Sequence, residues 1–217
     1  AVHHVVLGQA RPLPPLGAVH RIDAPGGSWK ARAARFDDDA IPDVLLVPGP
    51  TAPSGALPHV LLARPAGIGQ PAFSGPADLP LRSLRFEAVE VADLDGDGNL
   101  DVAAVSGVDG ALDIVYGRGD GTFDPAVSID FEVPGYLRSP DSTAVGLHSV
   151  RVGAQQALAL VLSGLDLGAG GAATPPTIAL LRATAPRTFA APTQADSFSP
   201  PIEPIGRSLA ADLDGVS

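Results

Sequence analysis

The 217-residue chain has no cysteine and no methionine, one tryptophan, two tyrosines and a single lysine, Lys30. Without cysteine there are no disulfides and no thiolate metal sites, so rigidity must come from packing and from any ions held by oxygen ligands. No run of 18 or more apolar residues is present to span a membrane as a helix, and no long stretch repeats its apolar residues at helical spacing. Basic residues are few, 14 against 24 acidic, and the resulting net charge of −10 sets the chain against a nucleic-acid partner. Catalytic signatures are missing as well. There is no Gly-x-Ser-x-Gly elbow, no His-Glu-x-x-His and no isolated Glu pair, so the expectation is that the chain is not an enzyme.

What the chain does have is 45% hydrophobic residues and a positive mean hydropathy, which argue against disorder despite 25 Gly and 23 Pro. The glycines and prolines fall between short β-branched runs, where they act as turns. An all-β fold follows.

One stretch carries the strongest chemical signal. From Val91 to Val102, aspartates recur at alternate positions, Asp93, Asp95, Asp97 and Asp101, between two apolar runs. Ca²⁺ takes about six to eight oxygen ligands, so a short loop that binds it must turn several carboxylates inward together. Asp93, Asp95, Asp97 and Asp101 supply carboxylates and Asn99 its backbone carbonyl, while Gly96 and Gly98 let the chain wrap around the ion. An EF-hand would need a bidentate Glu at the twelfth position and helices on both sides. Here the twelfth residue from Asp93 is Ala104, and the flanks Val89-Glu90-Val91 and Val102-Ala103-Ala104-Val105 read as strands. The reading is a calcium loop on a β-hairpin. An Asp/Gly-rich solvated turn would explain the glycines but not four mutually repulsive carboxylates.

The pattern repeats. Between Arg35 and Val47, Asp43 aligns with Asp101 at a distance of 58 residues, which brings Asp37 and Asp39 onto Asp95 and Asp97. Asp212 lies 119 residues after Asp93, about two periods, and opens another copy. Between them, 145–152 and 156–163 keep the strand–turn–strand hydrophobicity without aspartates. A second echo, Gly117 to Phe123, follows the loop as a Gly-rich turn closed by Phe, and 55–73 and 177–192 have the same order. About four short strands per period is the content of one propeller blade. The organisation read from this is an N-terminal strand and Pro-rich linker at 1–28, then repeats at 29–85, 86–143 and 144–204, and the start of a fourth at 205–217. Val2 to Leu7 would be the outer strand of a shared blade, and Ala10 to Leu16 a linker.

The Asp93 to Asp101 loop together with Gly117-Arg118-Gly119-Asp120-Gly121-Thr122-Phe123 resembles the FG-GAP/VCBS type of repeat found in integrin α-subunit propellers and many secreted bacterial proteins. The middle repeat, 86–131, matches strongly, the first partly and the third only in hydrophobic pattern. The resemblance implies β-propeller blades of four-stranded antiparallel sheets, each with a calcium loop in a hairpin near one rim, and partners or sugars contacted elsewhere. With three and a half repeats, the expectation is an incomplete propeller, a processed or truncated piece that closes with missing sequence or another chain. In the upstream loop, Arg35 stands in place of the first acidic ligand and Ala40 in place of a glycine. Asp37, Asp39 and Asp43 are therefore a weaker site, either weakly metal-binding or closed by the Arg35 guanidinium pairing with Asp37 and Asp39.

Smaller signals have plainer readings. Arg118-Gly119-Asp120 spells an integrin-recognition tripeptide that the repeat's own turn generates. Gly168 to Ala173 is an inter-strand loop, because Pro175-Pro176 prevents the helix a dinucleotide loop requires. His3 and His4 fall on opposite faces of a strand and do not chelate one metal. Trp29, Tyr116 and Tyr136 either fill gaps between blades or stack on a sugar ring. The expected function is a non-catalytic, calcium-binding module for protein–protein contact or adhesion at a cell surface, with a lectin-like, glycan-binding module as the alternative. Calcium modules outside cells bind at about 10⁻⁴–10⁻³ M, so the loop points to a secreted, cell-surface or periplasmic setting.

Overall fold

Strands supply all the regular structure among the described residues of a computed structural model, which are 3–5, 20–22, 26–49, 51–53, 55–64, 73–74, 77–82, 86, 88–106, 110–131, 143–152, 155–163, 177–191 and 197–198. The chain divides into two compact units, Ala1–Leu79 and Pro80–Ser217.

In the first unit, β1 (His3–Val5) pairs antiparallel with β2 (His20–Ile22), a second strand within the segment 1–28. A separate four-stranded antiparallel sheet follows in the order β3 (Trp29–Ala34), β4 (Asp43–Pro48), β5 (His59–Leu61), β6 (Ala77–Asp78). The β-branched and leucine run of β4 is buried along its centre, and Pro48 closes the strand where the missing donor is tolerated. Edge strand β3 carries Lys30 and Arg32 on exposed positions, which discourages pairing with another chain. Trp29, Val44, Leu46 and Leu61 form the core of this sheet, with Ala56 and Phe73 against it.

Among the described residues the second unit holds two sheets. One runs β7 (Ala88–Ala92), β8 (Asp101–Ser106), β9 (Ala111–Val115), β10 (Val127–Asp130), all antiparallel neighbours. The other runs β11 (Thr143–Val152), β12 (Gln155–Ser163), β13 (Thr177–Ala185), β14 (Thr188–Phe189), with β15 (Ser197–Phe198) also on β13. Their facing sides share one core. Ala103, Val105, Leu112 and Ile114 from one sheet meet Leu147, Leu158, Leu160 and Leu181 from the other. The period-two geometry of strands puts alternate residues on that face, and each large aliphatic side chain buried there contributes about 1.5–3 kcal/mol. A hydrogen bond from the Ser149 amide to Glu90 Oε1, 3.1 Å, also crosses between the sheets.

The hairpins distinguish the sheets. Ala34 pairs with Asp43 and Ala92 with Asp101, so each of the first two sheets opens with an eight-residue loop closed by an aspartate. In the third, Val152 pairs with Gln155, which leaves two residues for the connection. That sheet lacks the acidic loop because its first hairpin is too short to contain one.

Candidate metal centre

The β7–β8 loop is shaped by its own side chains. Asp93 accepts from the amides of Gly96 (2.7 Å) and Gly98 (3.1 Å), Asp95 from the amide of Asp97 (3.1 Å), and Asp97 from the amide (2.8 Å) and side chain (3.1 Å) of Asn99. Gly96 and Gly98 take φ values of 84° and 91°, a left-handed conformation costly to residues with a Cβ. Leu94 points the other way and is buried in the core of this unit, which pins the loop to the sheet. The result is convergence. Asp93, Asp95 and Asp101 each place a carboxylate oxygen within 4.8 Å of the others. Asp97 is in the same loop but outside that group of carboxylates. The Asn99 amide bond to Asp97 holds the Asp97 carboxyl below its ordinary range.

Asp101 has a second role that its position in the motif did not reveal. Its side chain is fully buried, with Oδ2 accepting from the Leu94 amide at 2.7 Å and Oδ1 from the Gly117 amide at 2.9 Å. It therefore ties the start of the loop to the end of β9. Burial pushes its carboxyl up to about 6, against the two amide bonds and with repulsion from Asp95 and Asp97 added.

The FG-GAP-like repeat family matches residues 93–146, from the first aspartate of the loop through β8, β9 and β10 into β11. Residues 93–146 are thus similar to an FG-GAP-like repeat. No curated protein matches the chain. The donor set of the FG-GAP loop suits a hard cation, since its three convergent groups are carboxylates and calcium prefers oxygen. Beside them, the buried Tyr116 hydroxyl has no hydrogen-bond partner among the described residues. Burial, with Asp101 and Asp95 nearby, pushes it up to about 12.

A residue absent from the motif also reaches the FG-GAP loop. Arg187 sits in the two-residue turn between β13 and β14, 92 positions after Asp95. Its Nε donates to Asp95 Oδ2 at 2.6 Å, one terminal nitrogen to Asp124 Oδ2 at 2.7 Å, and the other lies 3.6 Å from Asp97 Oδ2. The guanidinium also covers the Tyr116 ring at 4.8 Å. Hydrogen bonds to Asp95 and Asp124 raise its proton affinity further. Nothing in the spacing of the sequence links Arg187 to the loop, because the contact joins two sheets.

The upstream loop repeats the framework. Asp43 is fully buried, and its carboxylate accepts from the amides of Phe36 (2.7 Å) and Ala63 (2.8 Å), as Asp101 does from Leu94 and Gly117. Asp37 and Asp39 cap the following turns through the amides of Asp39 and Ile41. The guanidinium beside them is not that of Arg35, as the sequence indicated. It belongs to Arg64, at 2.9 Å from Asp37 and 4.0 Å from Asp39, because the Ala63 amide is held by Asp43 and the next residue is thereby brought beside the loop. Asp37, Asp39 and Asp43 do not form a convergent group of the kind seen around Asp101 among the described residues.

The Arg118-Gly119-Asp120 tripeptide is engaged in its own turn. Arg118 Nε donates to Asp124 at 2.7 Å, and Asp120 accepts from the Thr122 amide at 2.9 Å. Trp29 is buried and stacked on His59, ring centroids 5.2 Å apart, and Tyr116 is buried under Arg187, so neither ring presents an open face to a sugar. His3 and His4 lie on β1, which among the described residues pairs with β2 alone. Tyr136, Gly168 to Ala173, the linker at Ala10 to Leu16 and the copy at Asp212 lie outside the described residues.

Proposed function

We propose that this chain is a non-catalytic β-propeller module whose FG-GAP repeat is stapled by one calcium ion, and that it works outside the cell by presenting inter-strand loops to a protein partner, as in adhesion. The observation that carries the reading is the convergence of Asp93, Asp95 and Asp101 on the first hairpin of an antiparallel sheet inside the FG-GAP match. Each of the three larger sheets contains a four-strand antiparallel path of the kind a blade requires. Propellers have about four to eight blades, so the reading calls for further blades from another segment or another chain. Bound calcium would supply the counter-charge that the convergent carboxylates require. Asp93 orders the loop through the Gly96 and Gly98 amides, and Asp101 anchors it to the sheet, so the ligands are arranged in advance. No helix among the described residues is long and apolar enough to cross a membrane.

Thermal unfolding with millimolar calcium and with excess EDTA tests this, followed by calorimetric titration of the same sample. Calcium a hundredfold above its Kd stabilises the fold by about 2.7 kcal/mol. Asp95→Ala should abolish that calcium-dependent gain and Asp37→Ala should leave it. Equal effects of the two substitutions with calcium and with EDTA would refute the metal reading.

A further inference from the structure

The side chain that touches the calcium loop from outside its own repeat is the basis of a further inference, which rests on the calcium reading. We propose that Arg187 is a built-in competitor of the divalent cation: it occupies Asp95 through the β13–β14 turn when no metal is bound, and thereby sets the affinity of the FG-GAP loop to a weak value.

Three observations carry this. Arg187 Nε donates at 2.6 Å to Asp95 Oδ2, and Asp95 is one of the three carboxylates whose oxygens converge. A guanidinium seated there and a divalent ion on the same carboxylate would be like charges a few ångströms apart, in a site where only 4% of the Asp95 side chain is exposed to screening water. Second, the contact is multiply determined. Asp124, Asp97 and the Tyr116 ring also face the guanidinium, and a fork of this kind pairs with two carboxylates at once in a way that an ammonium does not. Third, Arg187 holds a φ of 59°, the only positive value at a non-glycine residue among those described. In a two-residue turn after a proline that position ordinarily falls to glycine. A side chain with a Cβ there carries a local backbone cost, and the docked guanidinium is what offsets it.

Linkage makes the consequence reciprocal: if Arg187 docking weakens calcium binding, calcium binding loosens Arg187 docking by the same factor. The loop's metal state would thus reach the last hairpin of the neighbouring sheet. In the first repeat the equivalent carboxylate, Asp37, is paired by Arg64 of its own sheet, so this coupling belongs to the FG-GAP repeat.

The test is calorimetric titration with Ca²⁺ of the full chain and of Arg187→Gln and Arg187→Lys, together with melting in EDTA. Arg187→Gln should bind calcium on the order of tenfold more tightly and melt lower than the wild type in EDTA. Arg187→Lys keeps the charge but loses the fork, and should bind more tightly than the wild type. Unchanged or weaker binding by Arg187→Gln overturns the proposal, as does a Lys variant indistinguishable from the wild type, since only remote charge would then be acting. Should Arg187→Gln fail to fold, Asp124→Asn removes the second anchor of the guanidinium. It should tighten calcium binding, whereas simple loss of a negative charge would weaken it. Binding by Arg187→Gln but not by the wild type would support the proposal while refuting the calcium staple in the native chain. Binding by neither would overturn both.

Discussion

Replacing Asp101 by alanine separates a structural carboxylate from a metal ligand. The side chain is fully buried and accepts from two backbone amides, Leu94 at 2.7 Å and Gly117 at 2.9 Å. Truncation leaves both donors without a partner, and a buried unsatisfied donor costs about 1–3 kcal/mol. Removing the charge relieves part of this, because burial already disfavours the ionised form, as the upward shift to about 6 indicates. The expected net loss is about 2–4 kcal/mol, or a fall in melting temperature of about 5–15 °C for a domain of this size. It should be present in EDTA, since the two amide bonds need no metal. Asp101→Asn, which keeps one acceptor oxygen, should lose about half as much. Asp95→Ala in EDTA should cost less than Asp101→Ala, because losing its bond to Arg187, whose side chain is 42% exposed although that of Asp95 is only 4% exposed, is partly offset by relief of carboxylate repulsion. Melting by circular dichroism in EDTA checks all three. If Asp101→Ala melts within about 1–2 °C of the wild type in EDTA and differs only with calcium, Asp101 is a ligand alone and the anchoring argument is wrong.

Three further outcomes follow from the same geometry. In EDTA, the folded state takes up a proton on Asp101 near pH 6 while the unfolded chain does so near 3.8, so its contribution to stability grows as pH falls through 6 and is lost as pH rises. The gap in melting temperature between wild type and Asp101→Asn should therefore widen from pH 7 to pH 5, and a constant gap would contradict the burial argument. Gly117→Ala should destabilise by about 1–3 kcal/mol in chemical denaturation, because a Cβ there would overlap the Leu100 carbonyl oxygen and push away the amide that Asp101 holds. Gly96→Ala, which meets open space, should cost about 1–2 kcal/mol through φ alone.

Much of this protein was legible in its sequence because the signals were local. Alternating apolar runs broken by Gly and Pro fixed the strands. The spacing of Asp93, Asp95, Asp97 and Asp101 marked an acidic loop, and in the folded hairpin Asp93, Asp95 and Asp101 converge while Asp97 stays outside their group. The 58-residue spacing of Asp43 and Asp101 placed two aspartates in equivalent hairpin positions. What the sequence left open were relations across the fold. The motif marks Asp101 as acidic, but only the return of β9 brings the Gly117 amide to its second oxygen and makes it an anchor. Arg35 was the nearest cation in sequence, yet Arg64 pairs with the upstream loop, since the sheet returns that residue to the hairpin beside Ala63, whose amide Asp43 holds. Arg187 reaches Asp95 across 92 residues through the packing of two sheets. Periodicity and loop chemistry act over a few residues and can be read along the chain, whereas the partner of a buried charge is chosen by whichever strand the hydrophobic core brings beside it.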